Sequence, residues 1–379
     1  MLNLNPFLSR FILVGTLLSL WGGAVSAAPA GQGYEFSGNG KRVFPCLSQL
    51  YTSVPLDSMP LVLTEQQKAL QLALARQQTA LAQAKSWQAE GLSLTSAQLR
   101  QVAEIVAQLP EQTRLDALTR HLTPYLLKGE DGCGNTHFTA YFAPLIQVKS
   151  KPDAQYKYPV YRKPSSWPQG KVPSRAEIDQ QGALKGLGLE IGYAASLLDI
   201  YMLQVQGSGL AHFLDTGEKI TFQYGGQNGL PYSSLGRLLV DKGHVPADQI
   251  SLNAIRDFFA KQPDLMPEYL ARNASYTFFD KVKAGPKGSL GTEVVPEISI
   301  AVDPVFIPLG SVLLAEIPRL NAQGELVEHV YRILVAQDTG GAIKGPGHID
   351  LFMGIGPEAQ AKASSLHHYG RLWLLVPKQ

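Results

Sequence analysis

The sequence predicts a mixed fold, mainly β with peripheral helices, and two observations carry that prediction. Helical spacing and cap signals occupy residues 64–122, whereas from His137 onward short alternating segments are punctuated by Gly- and Pro-rich turns. No strand–helix–strand period of the kind that builds a doubly wound parallel sheet runs through the chain. With 379 residues, about two domains and a sizeable core are expected.

Taken in order, residues 1–27 combine a basic residue, Arg10, an apolar run from Phe11 to Trp21 and an Ala-Val-Ser-Ala ending. That is the pattern of a cleaved secretory signal; the alternative is a retained N-terminal anchor. No cysteine follows the apolar run closely enough for lipid attachment, since the first is Cys46. Residues 28–60 have no period and read as a loose leader. Thr64 with Gln67, and Thr95 with Gln98, are cap-like helix openings, and Leu99, Val102, Val106 and Leu109 line one face of the second helix. Pro110 ends it, and a short helix around Leu115, Leu118 and Leu122 is expected to run to Pro124.

Beyond His137, the segments HFTAYF, DIYMLQVQ, ISIAVD, VLLAE, YRILVAQD, HIDLFMG and RLWLLV read as strands, with helices near Ser233 to Asp241 and Ser251 to Lys261. Two linker-like stretches, residues 149–174 and 283–296, divide this region. They predict a domain of residues 61–150 and 290–379 that receives a second domain, 151–289, as an insertion.

Lys+Arg 33 against Asp+Glu 31, without a basic run or interleaved aromatic residues, argues against a nucleic-acid partner. The only cysteines, Cys46 and Cys133, are a candidate disulfide in an exported protein, with two buried thiols as the alternative. No G-x-S-x-G elbow marks a serine hydrolase, and neither P-loop nor dinucleotide spacing is present.

Three stretches are candidates for chemistry. Strand alternation in DIYMLQVQGSG would turn Gln204 and Gln206 together toward a cleft before Gly207-Ser208-Gly209. Neutral amides suit sugar hydroxyls, but an ordinary solvated strand face reads equally well. The turn around Tyr224 and Asn228 offers an aromatic ring and an amide, as a saccharide groove would, or is simply a turn. In DTGGAIKGPGHIDLF, His348 and Asp350 share one strand face, and Asp338 precedes the Gly340-Gly341 turn. Partial burial would raise the Asp350 carboxyl toward the range of a proton donor, whereas a lone aspartate is also commonly structural. Asp338 either caps the turn or acts beside Asp350. An H-x-D pair without further ligands at metal spacing does not make a metal site.

FTAYFAPLI, VPSRAEI, LQVQGSG, NGLPYSSLG, NASYTFF, AVDPVFIPLGSVLLAE, DTGGAIKGPGHIDLFMGIGPEAQ and HHYGRLWLL together resemble, in the same order, the membrane-bound lytic murein transglycosylase A family. The resemblance implies a double-psi β-barrel domain and a smaller β-rich domain, with a groove between them for a peptidoglycan strand. It implies non-hydrolytic cleavage of the β-1,4 bond between N-acetylmuramic acid and N-acetylglucosamine, giving 1,6-anhydromuramic ends. The alternatives are a hydrolytic muramidase and a non-catalytic murein-binding module. The catalytic aspartate falls on Asp350, with Asp338 and His348 supporting it. Tyr141, Gln204, Gln206, Gly207, Ser208, Gly209, Tyr224, Asn228, Gly340 and Gly341 are the expected sugar contacts. No cofactor or metal is implied. Action as a monomer in the periplasm is expected, with outer-membrane association and cell-wall synthesis or division proteins as candidate partners.

Overall fold

A computed structural model describes residues 38–56, 60–63, 66–83, 86–89, 92–247 and 249–378; the predicted signal 1–27 and the Thr64 cap lie outside these. The N-terminal part comprises β1 (Tyr51–Ser53), β2 (Pro60–Val62), α1 (Gln67–Gln83), β3 (Trp87–Ala89), β4 (Leu92–Leu94) and α2 (Ser96–Ala107). Then follow β5 (Gln112–Arg114), the single-turn α3 (Leu115–Leu118), β6 (Leu122–Leu127) and β7 (Thr136–Ala143). Thr95 and Gln98 close a reciprocal capping box at the start of α2, whose Leu99, Val102, Ala103 and Val106 are buried. The expected helix up to Pro124 is corrected: it stops after one turn, and Leu122 opens a strand in which Pro124 lies opposite Leu375.

The middle of the chain holds β8 (Leu145–Lys149), β9 (Tyr158–Tyr161), α4 (Arg175–Asp179), β10 (Glu190–Ala194), α5 (Leu197–Gln206), β11 (Gly209–Phe213) and β12 (Lys219–Gln227). It continues through α6 (Leu235–Asp241), α7 (Leu252–Lys261), α8 (Met266–Ala271) and β13 (Thr277–Val282). The final part is β14 (Ser299–Ala301), β15 (Val312–Leu320), β16 (Leu326–Asp338), β17 (His348–Ile355), α9 (Pro357–Ser365) and β18 (His367–Pro377).

These strands form two main sheets. One runs β1-β6-β18-β15-β16-β14-β17-β7, and an added β18–β7 pairing closes six of its strands into a ring. Its β7–β17 and β14–β16 pairs are parallel. Phe138, Ile300, Leu313, Leu334, Ile349 and Leu374, one from each strand of the ring, pack together inside it. Alternate residues Val312, Leu314, Val335 and Trp373 pack instead with Leu70 and Leu74 of α1 and Val102 and Val106 of α2. The helices therefore cover the outer wall, and both faces of these strands are apolar. Each fully buried Leu or Phe contributes about 1.5–3 kcal/mol of transfer free energy.

The second sheet runs β13-β12-β11-β8-β10-β9. It begins at Leu145, so residues 145–149 belong with the insertion and not with the first domain as expected. The stretch 149–174 is also more than a linker, because β9 supplies the edge of this sheet.

DIYMLQVQ is helix, not strand. Ser196 accepts from the Asp199 N–H at its start, and Gly207, at φ 80°, ends it. Its residues are buried on two sides, Ile200 and Leu203 against the sheet and Leu198, Tyr201 and Met202 against α6, α7 and α8. A helix covered on both sides loses the one-sided period by which a sequence reveals it.

The expected loose leader is likewise ordered over residues 38–56. Cys46 is bridged to Cys133, β1 pairs with β6, and Leu47 and Val54 enter the core. Among the described residues no helix is long and apolar enough to cross a membrane. Since the bridge spans 87 residues, replacing both cysteines by serine is expected to lower unfolding free energy by about 4–5 kcal/mol, measured by denaturant titration.

Candidate active site

Four strands of the ring set the site. Asp350 on β17 lies opposite Thr139 of β7 on one side and Ala301 of β14 on the other. Its neighbours Ile349 and Leu351 point into the barrel core, so alternation turns Asp350 out through the wall, on the same side as His348. Asp338 ends β16 and is also opposite Ala301. It reaches that register through a bulge: Ile300 pairs with Ala336 and Ala301 with Asp338, leaving Gln337 as the extra residue. Gln337 is fully buried, accepting from Ser299 Oγ at 2.6 Å and donating to the Ala73 carbonyl at 2.9 Å. The bulge thus brings both carboxylates to one patch of the wall.

Thr139 Oγ1 donates to Asp350 Oδ1 at 2.8 Å and lies 3.0 Å from His348 Nε2. Asp350 Oδ2 meets no donor among the described residues. Burial pushes the Asp350 carboxyl up to about 6; the Thr139 hydrogen bond opposes this, and the charge of Asp338 adds to it. Four donors hold Asp338: the Tyr141 hydroxyl at 2.8 Å on Oδ2, and Ser289 N–H, Ser289 Oγ and Thr339 N–H on Oδ1. Burial still raises its pKa above the ordinary carboxylate value, against the pull of those donors. Tyr141 is shifted well upward by burial and by Asp338, so it is a hydroxyl donor throughout the neutral range. Behind Asp350, His348, His137 and Tyr369 stack with ring centroids 5.2 and 4.9 Å apart. Burial, with His137 beside it, holds His348 below the usual histidine range.

The loop 339–347 is fixed near its C-terminal end. Asp303, after β14, accepts from the Gly345 N–H at 2.9 Å. Gly347 lies against residues 129–130 so closely that a Cβ there would stand 1.8 Å from the Glu130 nitrogen, which only glycine allows. Gly341 is open, with nothing within 4 Å of a Cβ, while Gly340 sits against Ile343.

The structure therefore brings together Asp350, Asp338, His348 and Tyr141. Gln206 comes near them, its Oε1 accepting from the Phe142 N–H at 3.3 Å. Gln204 does not share that face. It is a buried helix residue that donates to the Thr277 carbonyl. Asn228 is also turned inward, donating to the carbonyls of Pro173 and Ala274 and accepting from Tyr276 N–H, so it fastens a turn instead of facing a groove. Gly207 caps α5, partly buried Ser208 follows it, and Gly209 packs where a Cβ would strike Leu203 and the Pro144 carbonyl. Tyr224 is 48% exposed on β12. Three contributors escaped the sequence reading: Thr139, Ser289 and Asp303. Thr139 and Tyr141 alternate on one strand face, which was a usable signal; Ser289 lay in an apparent linker and had none.

An ionised Asp350 costs the folded state stability. Its folded pKa of about 6 exceeds the unfolded 3.8, so the folded state holds the proton more tightly. Its contribution is full below the unfolded value and is lost as pH rises through about 6. Asp350→Asn is accordingly expected to be the more stable protein by up to about 2–3 kcal/mol at about pH 8 and by nearly nothing at about pH 3, measured by denaturant unfolding.

Comparison with known proteins gives concordant matches. Residues 137–280 match the MltA specific insert domain and residues 298–376 the 3D domain. The membrane-bound lytic murein transglycosylase A of Vibrio cholerae is 43% identical over 252 residues, 66% of this chain and 67% of that protein. The Escherichia coli K12 protein of the same name is 40% identical over 252 residues, 66% of this chain and 68% of its own. Among solved structures, E. coli MltA with bound chitohexaose aligns with a TM-score of 0.75 at 30% identity, covering 93% of this chain and 100% of that one. A membrane-bound lytic murein transglycosylase from Agrobacterium tumefaciens aligns at 0.70 and 29% identity, covering 82% and 92%.

Proposed function

The chain belongs to the membrane-bound lytic murein transglycosylase A family, and we propose that it cleaves peptidoglycan strands without water, using Asp350 as the one proton carrier. The bond cut is the β-1,4 link between N-acetylmuramic acid and N-acetylglucosamine, and the product ends are 1,6-anhydromuramic acid. We read the closed six-stranded ring with its parallel pairs as a double-psi β-barrel, and the groove as lying between it and the inserted sheet. The periplasm, where this substrate is found, is the proposed compartment.

The carrying observation is a single carboxyl, raised to about 6, whose second oxygen meets no donor among the described residues. Protonated Asp350 gives its hydrogen to the glycosidic oxygen as the bond from that oxygen to C1 breaks. The carboxylate then accepts the hydrogen of the C6 hydroxyl, whose oxygen bonds to C1 of the same sugar. The carboxyl ends protonated, as it began. Tethering of nucleophile to electrophile lowers the barrier by proximity. Hydrolytic glycosidases usually need a second carboxylate to activate water or attack directly. Asp338 is poorly suited to that task, since four donors occupy its oxygens. Its charge instead helps Asp350 retain a proton.

Asp350→Asn is expected to cut turnover of purified murein by about a thousandfold while binding to sacculi persists; unchanged turnover overturns the proposal. Wild-type kcat should decline as pH rises through about 6. Thr139→Val removes a hydrogen bond that favours the carboxylate, so that decline should move to higher pH, read from kcat profiles on soluble glycan strands.

A further inference from the structure

Residues 286–294 join the inserted sheet to the barrel, and the geometry gives them a task beyond connection. Lys287 pairs with Glu293 in an antiparallel bridge, Gly288 N–H donates to the Thr292 carbonyl at 3.0 Å, and Val294 N–H to that of Pro286 at 3.0 Å. These two bonds make the bridge and fold the segment into a small hairpin. On the side of the insertion, the Gln223 amide of β12 clasps one residue twice, donating to the Lys287 carbonyl at 2.9 Å and accepting from the Lys287 N–H at 2.7 Å. At the base, Glu293 pairs with Arg76 of α1 at 2.5 Å and accepts from the Gly285 N–H at 3.0 Å. At the tip, Ser289 gives Asp338 two hydrogen bonds, 2.9 Å from nitrogen and 3.0 Å from Oγ. Ser289 Oγ also lies 2.6 Å from Thr339 Oγ1, and Leu290 N–H donates to the Gln337 carbonyl at 3.0 Å. The tip fits only without a side chain at position 288, where a Cβ would stand 2.3 Å from the Gln337 oxygen.

We propose that Gln223 and Ser289 are positioning residues, and that the hairpin 286–294 couples the placement of the inserted sheet to the orientation of Asp338 beside Asp350. The path is short. Tyr224, the residue after Gln223, is an exposed ring on the same strand. Ser289, two residues beyond the clasped Lys287, bonds the carboxylate directly. Any shift of β12 when a glycan settles against it is therefore transmitted to Asp338 through two side chains. The coupling rests on Asp350 being the proton carrier for its bearing on catalysis, but the mechanical link is independent of that reading. Tyr141 and His137 from β7, Asp350 and His348 from β17, Asp303 after β14, Lys287 and Glu293 of the hairpin and Arg76 of α1 are among the titratable or charged groups on the elements around Asp338.

Loosening the hairpin removes donors that favour ionised Asp338. Its titration then moves up; Asp338 is charged less of the time, and Asp350 loses part of the repulsion that keeps it protonated. The two carboxyls should move in opposite directions. The experiment is a carbon-13 titration of the aspartate side-chain carboxyls in the full chain, comparing wild type, Gln223→Ala, Ser289→Ala and Ser289→Thr. Gln223→Ala touches neither carboxylate, and its amide spectrum verifies the fold. The expected result is an Asp350 midpoint lowered by about half a pH unit and an Asp338 midpoint raised in both alanine variants, with Ser289→Thr like wild type. An Asp350 midpoint unmoved by Gln223→Ala overturns the coupling, even if Ser289→Ala shifts it. The readout needs no turnover, so an active Asp350→Asn would refute the functional reading and leave this result standing.

Discussion

The desolvation of one carboxyl, set in a barrel wall between two neighbouring strands, is the constraint to which the rest of the site answers. In the proposed role, Asp350 must be dry enough to keep a proton near neutrality and open enough to hand it over. The β7–β17 and β14–β17 registers meet both needs, placing Asp350 against Thr139 and Ala301 with its flanking residues in the core. A slip of one residue would bury Asp350 and expose Ile349 and Leu351, exchanging the proposed proton carrier for an uncompensated charge. The apolar interior of the ring therefore acts as the guarantor of the chemistry. Its packing energy holds a register in which an ionisable group is kept at a cost to stability.

The second carboxylate shows how little sequence is needed to change a role. Asp338 and Asp350 are both opposite Ala301, yet they differ in what holds them: four donors on one, a single threonine hydroxyl on the other. Hydrogen bonds from the hairpin and from Tyr141 favour the charged form of Asp338, and its charge favours the neutral form of Asp350. A pair of like groups is thereby driven toward unlike states by their surroundings. Because one of the holders, Ser289, sits on the segment returning from the inserted sheet, the two-sheet architecture bears directly on the acidity of the site.

Much of this was legible before any coordinates. Alternation in HFTAYF and HIDLFMG found the two strands that carry Thr139, Tyr141, His348 and Asp350, and the Thr95–Gln98 box was read to the residue. What failed did so for identifiable reasons. Residues 197–206 are apolar on both sides because the helix is sandwiched, so the segment shows a period of two that reads as a strand and points Gln204 toward a cleft. Asn228 carries the amide expected of a sugar contact, but chain folding spends it on backbone carbonyls, a choice that composition cannot reveal. The bulge at Gln337 and the Ser289 contact depend on pairings across long sequence separations, for which local pattern offers no sign.

In the proposed reaction the sugar, not solvent, supplies the attacking oxygen while a single carboxyl moves the hydrogen. Digesting purified murein with the enzyme in oxygen-18 water and weighing the released muropeptides tests this directly. New glycan ends free of the heavy isotope are predicted. One solvent oxygen incorporated at each new end would mean hydrolysis, and would contradict it.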